Sequence, residues 1–468
     1  MTVEVCRDRP CTQVVERHEV VGERTRPRQP LMPGRYFWRV STAVEGQEPL
    51  RSPTWLFRVR ANPVALDSFH GRRTDLDGDG YSDVVLPDRR NWGVMVLFGS
   101  PTGLEPVRRL GVPPHPSGEQ AMVWVGPAMD NDGDGLSEVT VSFTTVDLLL
   151  RDESCYIARY RLVAPERDLR WADRRCPPSP GELPGELGGF VGDFDGDGYD
   201  DTFLRVTFWG GIPLPFDWRL FRGGPEGLAT MYTRSFGDVF DNGPGVSNIT
   251  SNINGDRYED TLVGTANYGG PNEIAVFLGA SETPLESVVL RREIPLYTRP
   301  PAMVGNGDFN GDGFTDILIR GPTILPGQQT QDHQILDGSA EPDRGAFRRV
   351  TFTAPLLYAG GGFGFVGDLD ADGRDDLLYR SSVAPLMEDY WIFRGSPAGL
   401  TTTPVPIART PHISLGVLRS SEDYNGDGRD DCVGEGWPGA GPRNFYALIS
   451  EPGTPLSYRA ILLTEHFR

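Results

Sequence analysis

The sequence predicts an all-β protein, a seven-bladed β-propeller of four-stranded antiparallel blades preceded by a small N-terminal β-sandwich fragment. Three observations carry that expectation. An acidic nonapeptide recurs seven times, beginning at Asp75, Asp130, Asp193, Asn252, Asp308, Asp368 and Asp423, with successive steps of 55, 63, 59, 56, 60 and 55 residues. Each unit between copies carries several short apolar stretches of strand length. The 58 Gly and 41 Pro among 468 residues supply turns while staying below the ~25–30% at which a disordered chain takes over.

Residues 1–61 differ from the remainder of the chain. Stretches 3–6, 12–15, 35–40 and 54–59 alternate between apolar and polar residues and are separated by Pro and Gly turns, the pattern of strands. Stretches 33–40 and 52–59 resemble the last two strands of a fibronectin type III-like module, and about 60 residues falls short of the ~100 of a complete sandwich of that kind. The resemblance therefore implies a partial module. Residues 61–63 (Ala-Asn-Pro) mark the expected junction.

From residue 63 to 468 each unit repeats one order of parts. An apolar strand such as 189–192 enters the acidic loop, and a second leaves it, as at 83–86, 316–319 and 376–379. A third strand ends in a small-residue turn, as at 94–104, 218–228 and 390–400, and a fourth comes after it, as at 105–110. The last unit supplies its own fourth strand at 458–463, so ring closure is not expected to borrow a strand from the N-terminus. Loop, strand and turn recur in register seven times, and in this the units resemble FG-GAP repeats, also described as VCBS-type repeats. That resemblance covers residues 63–468 and implies the propeller of the integrin α-subunit head and of many secreted bacterial proteins.

Within the nonapeptide, residues 1, 3, 5 and 9 offer side-chain oxygens, and the glycines at 4 and 6 allow the backbone to curl so that these converge. That suits a hard cation. Calcium takes six to eight oxygens from carboxylates, amide or backbone carbonyls and water, whereas magnesium demands a smaller octahedral cage. The resemblance implies Ca2+ held between the first two strands of each blade, with the carbonyl of residue 7 as a further ligand.

The expected ligand sets are, loop by loop, Asp75, Asp77, Asp79, Tyr81 and Asp83; Asp130, Asp132, Asp134, Leu136 and Glu138; and Asp193, Asp195, Asp197, Tyr199 and Asp201. Loops four and five offer Asn252, Asn254, Asp256, Tyr258 and Asp260, then Asp308, Asn310, Asp312, Phe314 and Asp316. Loops six and seven offer Asp368, Asp370, Asp372, Arg374 and Asp376, then Asp423, Asn425, Asp427, Arg429 and Asp431. Loops one, three and six have four carboxylates each; loop six has Ala371 in place of a glycine. Loop two ends in Glu138, whose extra methylene must fold back, and loops five and seven exchange one Asp for Asn, so these three are expected to bind more weakly.

An EF-hand would need a carboxylate at residue 12 and flanking helices. Residue 12 is here Leu86, Val141, Leu204, Val263, Ile319, Tyr379 or Gly434, and strands come next. The ions are expected to be structural, each stapling a hairpin that otherwise concentrates like charge.

The chain has a formal charge of −20, which disfavours nucleic acid and anionic membrane as partners. Residues 1, 3, 5 and 9 of the loops hold 24 of its 65 acidic residues, and seven divalent ions would bring the charge to about −6. Cys6 and Cys11 bracket a tight turn, and Cys155 and Cys176 flank an expected hairpin; both pairs are placed to bridge in an oxidising compartment, with reduced thiols the alternative. Cys432 takes the place of Val84, Ile317 or Leu377 in other units and is expected in the core. No apolar run reaches the length of a membrane span. Residues 1–20 lack the pattern of an export signal, and residues 1–5 already alternate like a strand, so the chain is expected to begin inside a domain.

On the face opposite the acidic loops fall the long segments 208–218, 268–270, 323–332 and 435–437, where aromatics including Trp209 and Trp437 sit beside glycines. Such surfaces suit sugars or proteins. The expected role is extracellular or cell-surface recognition and adhesion by a monomer, with a protein or glycan partner. A glycan-binding lectin is one alternative, and a propeller that is accessory to a carbohydrate-active enzyme, or is itself one, is another. No catalytic residues are expected, because the six histidines, His18, His70, His115, His333, His412 and His466, are scattered.

At residues 1, 3, 5 and 9 loop four has only two carboxylates, and Arg257 stands where the other six loops have Gly. It is therefore expected to bind calcium most weakly or not at all. Crystals grown at low calcium check this: a fully occupied ion at residues 252–260 is the contrary result.

Overall fold

The computed structural model describes residues 1–6, 11–21, 25–29, 31, 34–43, 49–52, 55–59, 74–77, 79, 81–88, 93–106, 108–111, 121–125, 128–133, 136–145, 155–163, 168–175, 182–197, 199–208, 216–229, 233–235, 247–251, 253–254, 258–265, 272–280, 285, 288–294, 303–312, 314–319, 330–339, 341, 347–353, 362–370, 372–384, 387–406, 414–427, 429–437, 444–451 and 457–462. Among these residues regular structure is β throughout, with no helix. The strands pair antiparallel into one five-stranded sheet, one three-stranded sheet and six four-stranded sheets. The absence of flanking helices removes the EF-hand alternative for the described loops.

The five-stranded sheet comes from the N-terminal stretch. Thr2–Cys6 lies between Val14–Glu19 and Gly34–Thr42, and the latter also pairs with Leu50–Arg51 and Trp55–Val59. Glu4 is opposite Arg17 on one neighbour and Arg39 on the other, and accepts from the Nε of each at 2.7 Å. Burial pushes the Glu4 carboxyl up, and the two guanidinium groups more than reverse that, leaving it below the usual range. Cys6 and Cys11 form a disulfide with Cα atoms 5.1 Å apart, packed against the buried Phe37. Cys155 begins a strand, but Cys176 lies outside the described residues, as does the expected junction at 61–63.

Seven sheets come after it, one per repeat. In each, strand order follows chain order, so every sheet is a meander made from one continuous stretch. The sixth consists of Gly362–Gly367, Asp376–Ala384, Met387–Phe393 and Val405–Pro406. The first has three described strands, Val84–Asp88, Gly93–Leu97 and Arg108–Gly111, and the residues expected to precede them lie outside the described set. The first strands of sheets three to seven, Glu182–Gly192, Ser247–Ser251, Met303–Gly307, Gly362–Gly367 and Ser414–Glu422, lie side by side in succession. Their acidic loops consequently gather at one end.

Apolar burial between neighbouring sheets explains this arrangement. Phe309, the second residue of loop five, is wholly buried with Leu318, Ile335 and Phe352 of its own sheet and Leu377, Tyr379 and Phe393 of the sixth. The same place in the other loops is held by Leu76, Asn131, Phe194, Ile253, Leu369 and Tyr424, all fully buried. Tyr424 of loop seven packs with Val84, Leu86, Met95 and Leu97 of the first sheet as well as Val433, Ala447 and Ile449 of its own. The last repeat thus shares a core with the first. Cys432, in the second strand of the seventh sheet, is buried, as expected, and burial pushes its thiol up.

Loop-to-loop hydrogen bonds run in the same succession. The N–H of loop residue 8 donates to the carbonyl of residue 1 in the preceding loop: Ser137 to Asp75, Asp200 to Asp130, Glu259 to Asp193, Asp375 to Asp308 and Asp430 to Asp368, at 2.9–3.1 Å. A second N–H, just past the third strand, donates to the carbonyl of residue 2: Gly224 to Asn131, Ala280 to Phe194, Ser339 to Ile253 and Ser396 to Phe309. Ser100 of the first sheet makes this second bond to Tyr424 of the seventh at 3.1 Å.

Because Phe309 belongs to the cores of two sheets, Phe309→Ala is expected to cost about 3–5 kcal/mol. Denaturant unfolding measures it, and a loss below ~1 kcal/mol would contradict the inter-sheet packing.

Candidate metal centres

The loops take their shape from their own carboxylates before any ion is considered. The residue 9 side chain accepts the N–H of residue 2 in its own loop: Leu76 to Asp83 (2.7 Å), Asn131 to Glu138 (3.1 Å), Phe194 to Asp201 (3.1 Å), Ile253 to Asp260 (2.8 Å), Phe309 to Asp316 (3.2 Å) and Tyr424 to Asp431 (3.1 Å). Its other oxygen accepts an N–H from the end of the third strand. Gly99, Gly223, Gly279, Gly338, Gly395 and Ser450 donate in this way to Asp83, Asp201, Asp260, Asp316, Asp376 and Asp431 at 2.8–3.0 Å. One buried side chain therefore ties the loop to the third strand. Glycine suits the donor because a Cβ at Gly223 would stand 2.5 Å from the carbonyl oxygen of Asp200, and one at Gly338 as close to that of Thr315.

Residues 3 and 5 fold the hairpin tip. The N–H of residue 5 donates to residue 3 in Asp79 to Asp77, Asp197 to Asp195, Asp312 to Asn310 and Asp427 to Asn425. The N–H of residue 7 donates to residue 5 at 2.9 Å in Tyr81 to Asp79, Tyr199 to Asp197, Phe314 to Asp312, Arg374 to Asp372 and Arg429 to Asp427. Gly133, Gly196, Gly311 and Gly426, all at residue 4, adopt positive φ, the conformation the expected curl requires.

Four loops bring three carboxylates together, with one oxygen from each lying within 4.8 Å of the others. They are Asp75, Asp77 and Asp83 in loop one; Asp130, Asp132 and Glu138 in loop two; Asp193, Asp195 and Asp197 in loop three; and Asp368, Asp370 and Asp372 in loop six. In loop two these residues are 5%, 6% and 0% exposed. The Glu138 side chain does fold back into its loop. Three buried carboxylates this close repel one another unless protons or a cation offset their charge.

Loop six bears directly on whether a cation fits. Asp376 Oδ2 and Asp370 Oδ1 are buried oxygens that accept no hydrogen bond, beside the Asp368 and Asp372 carboxylates. An oxygen-only, anionic donor set with acceptors to spare fits a hard metal cation in both charge and ligand type. Bound there, the ion would be held by Asp368, Asp370, Asp372 and Asp376 and would neutralise their charge.

The remaining loops differ. In loops five and seven Asn310 and Asn425 donate from Nδ2 to Asp312 (2.9 Å) and Asp427 (3.2 Å), so an amide covers an oxygen that a cation would otherwise take. Asp308 and Asp423 accept from the N–H groups of Asp312 and Asp427 in these loops. In loop four Asp260 accepts from Ile253, Asn254 and Gly279, and Tyr258 is half-buried. Asn252, Asp256 and Arg257, on which the weakness of that loop was expected to rest, lie outside the described residues, as does Asp134. Leu136 is half-buried in loop two. Trp209 and the side chain of Trp437, expected on the opposite face, also lie outside the described set.

Two kinds of residue escaped the reading of the sequence. Loop residue 8 is polar in all seven copies: Ser82, Ser137, Asp200, Glu259, Thr315, Asp375 and Asp430. The carboxylates of Asp200, Asp375 and Asp430 accept the N–H of Asp130, Asp308 and Asp368 in the preceding loop at 2.8–3.0 Å. The second kind is arginine after the third strand. Arg222 pairs with Asp195 at 3.1 Å and Arg394 with Asp370 at 3.3 Å, and a shared Phe-Arg-Gly in units three and six was the available signal.

No protein-family model matches this chain, and no curated protein does. Among solved structures, a triple arginine-to-alanine mutant of AofleA from Arthrobotrys oligospora is 10% identical over 84% of this chain and 94% of its own, with a TM-score of 0.40. Bacillus licheniformis Rhamnogalacturonan Lyase PL11 is 12% identical over 93% of this chain and 83% of its own, with a TM-score of 0.33. Both likenesses are too distant to bear on this site.

Burial, followed by neighbouring carboxylate charge, pushes the carboxyls of Asp83, Asp201 and Asp376 well up. Burial likewise raises Asp316 and Asp368 to about 7. A carboxyl near 4 when unfolded and near 7 when folded binds more protons in the folded state across that interval, so stability falls as pH rises through it. Chelated protein is therefore expected to lose on the order of 5 °C in Tm between pH 5 and pH 8. Saturating calcium should remove most of that fall by standing in for the protons. Melting curves in chelator and in calcium across this range check it.

Proposed function

We propose that the chain is a calcium-stabilised seven-bladed β-propeller of FG-GAP type, with structural ions in its acidic hairpin loops, and that it acts in extracellular recognition or adhesion rather than catalysis. The observation that carries the calcium reading is the donor set of loop six, where buried carboxylate oxygens without hydrogen bonds face a cluster of the same charge. The propeller reading is supported by the repeated meanders and by the core and hydrogen bond that the seventh repeat shares with the first. Recognition is proposed for the face away from the loops, where the sequence leads one to expect the long segments with Trp209 and Trp437.

Calcium supplies charge neutralisation, and the chain supplies the frame. Loop residues 3, 5 and 9 are already held by backbone N–H groups, so little reorganisation is needed to receive an ion. In the described loops no histidine or other base is seen beside the carboxylates, and their chemistry is that of a staple.

Calcium titration with a melting curve at each point tests the reading. Saturation should raise Tm over chelated protein on the order of 10 °C, as several ions bound to the folded state alone would do. Identical melts with and without chelator would remove it. For the partner, a glycan array and a pull-down are run in parallel, and Trp437→Ala should weaken whichever binding is found.

A further inference from the structure

Loop six holds a fixed cation of its own. Arg394 directly follows the third strand of the sixth sheet, and its main chain is pinned by two hydrogen bonds to Thr401, from Arg394 N–H to Thr401 Oγ1 (2.9 Å) and from Thr401 N–H to the Arg394 carbonyl (2.8 Å). From that anchor the guanidinium reaches Asp370 Oδ2 at 3.3 Å. The other oxygen of the same carboxylate, Oδ1, is buried without a hydrogen bond, as is Asp376 Oδ2, and Asp376 is only 1% exposed. Asp370 thus presents Oδ2 to the arginine and has Oδ1, buried and without a hydrogen bond, to spare, in a carboxylate group that also includes Asp368 and Asp372.

The two sides of Asp370 have different consequences. A guanidinium on Oδ2 does not occupy the place of an ion held by Oδ1, so the arginine can remain when the ion arrives. It remains as a positive charge, however, and charges a few ångströms apart near a protein surface interact appreciably. With the ion absent it offsets carboxylate repulsion; with the ion present it repels the ion. Loop three repeats the design, with Arg222 at 3.1 Å from Asp195 and its carbonyl accepting from Ala229 N–H at 2.7 Å.

We infer that Arg394 is an affinity-setting residue for a divalent cation in loop six, an internal counter-ion that weakens binding and keeps the loop in shape when the ion is gone. This rests on the calcium reading above and adds its regulation: the site is tuned to fill and empty with calcium concentration rather than to stay occupied. Asp370 Oδ2 is the contact through which the tuning acts.

The experiment is calcium titration of the full chain by calorimetry, with melting curves in chelator and in calcium, on the wild type and on Arg394→Met and Arg394→Lys. Arg394→Met should bind one ion on the order of tenfold more tightly than the wild type does, the scale of one unit charge screened by nearby solvent. It should also melt lower in chelator and regain the difference in calcium. Arg394→Lys, which keeps the charge, should follow the wild type, and adding Asp368→Asn to Arg394→Met should abolish the tight site. A merely structural arginine would lower both melting curves alike and leave affinity unchanged or weaker, which would overturn the inference while leaving the calcium reading intact. Absence of calcium uptake by wild type and variants alike would overturn both.

Discussion

The residue 9 carboxylate is the interaction on which the rest of each repeat depends. In Asp83, Asp201, Asp260, Asp316 and Asp431 it accepts one N–H from the start of its loop and another from the end of the third strand, so both oxygens are engaged. A buried carboxylate is costly unless it is well supplied with donors, and here the backbone supplies them. Once fixed, it sets the hairpin, the exit of the second strand and the close approach that favours glycine after the third. The cost of its charge then falls on the loop as a whole. Protons, a cation or arginine must meet it, and the loops differ in which they have.

These loops are therefore more than a set of candidate metal ligands. The reading of the sequence treated residues 1, 3, 5 and 9 as equivalent donors to an ion, whereas the structure divides their labour. Residues 3 and 5 fold the tip, residue 9 joins loop to strand, and the spare oxygens around them form the cluster. In loops five and seven asparagine satisfies its neighbour internally, through Asn310 to Asp312 and Asn425 to Asp427. The loops are graded by how completely they meet their own charge.

Much of this was legible beforehand. The period of the nonapeptide announced repeated sheets, alternation announced strands, and the buried place of Cys432 followed from its alignment with Val84, Ile317 and Leu377. The loop carboxylates were found by spacing alone. Contacts between repeats were not, since residue 8 looks like any polar turn residue until the next loop is beside it, and Arg222 and Arg394 are about 20 residues from the loops they serve. Spacing within a segment is visible in a sequence, but partnership across segments depends on the packing. The same limit hid Phe309 and Tyr424, apolar residues within acidic loops whose neighbours belong to two sheets.

The junction between the last and first repeats has a consequence for synthesis. Each repeat sheet can be completed from one stretch of chain soon after it leaves the ribosome, but the bond from Thr74 N–H to Glu422, between the first and last repeats, spans 348 residues. Until the C-terminal repeat emerges, the apolar flank formed by Val84, Leu86, Met95 and Leu97 has no Tyr424 to cover it. Such a flank invites wrong partners while the nascent chain waits. The earliest repeat to be translated is thus the last to be fully sheltered.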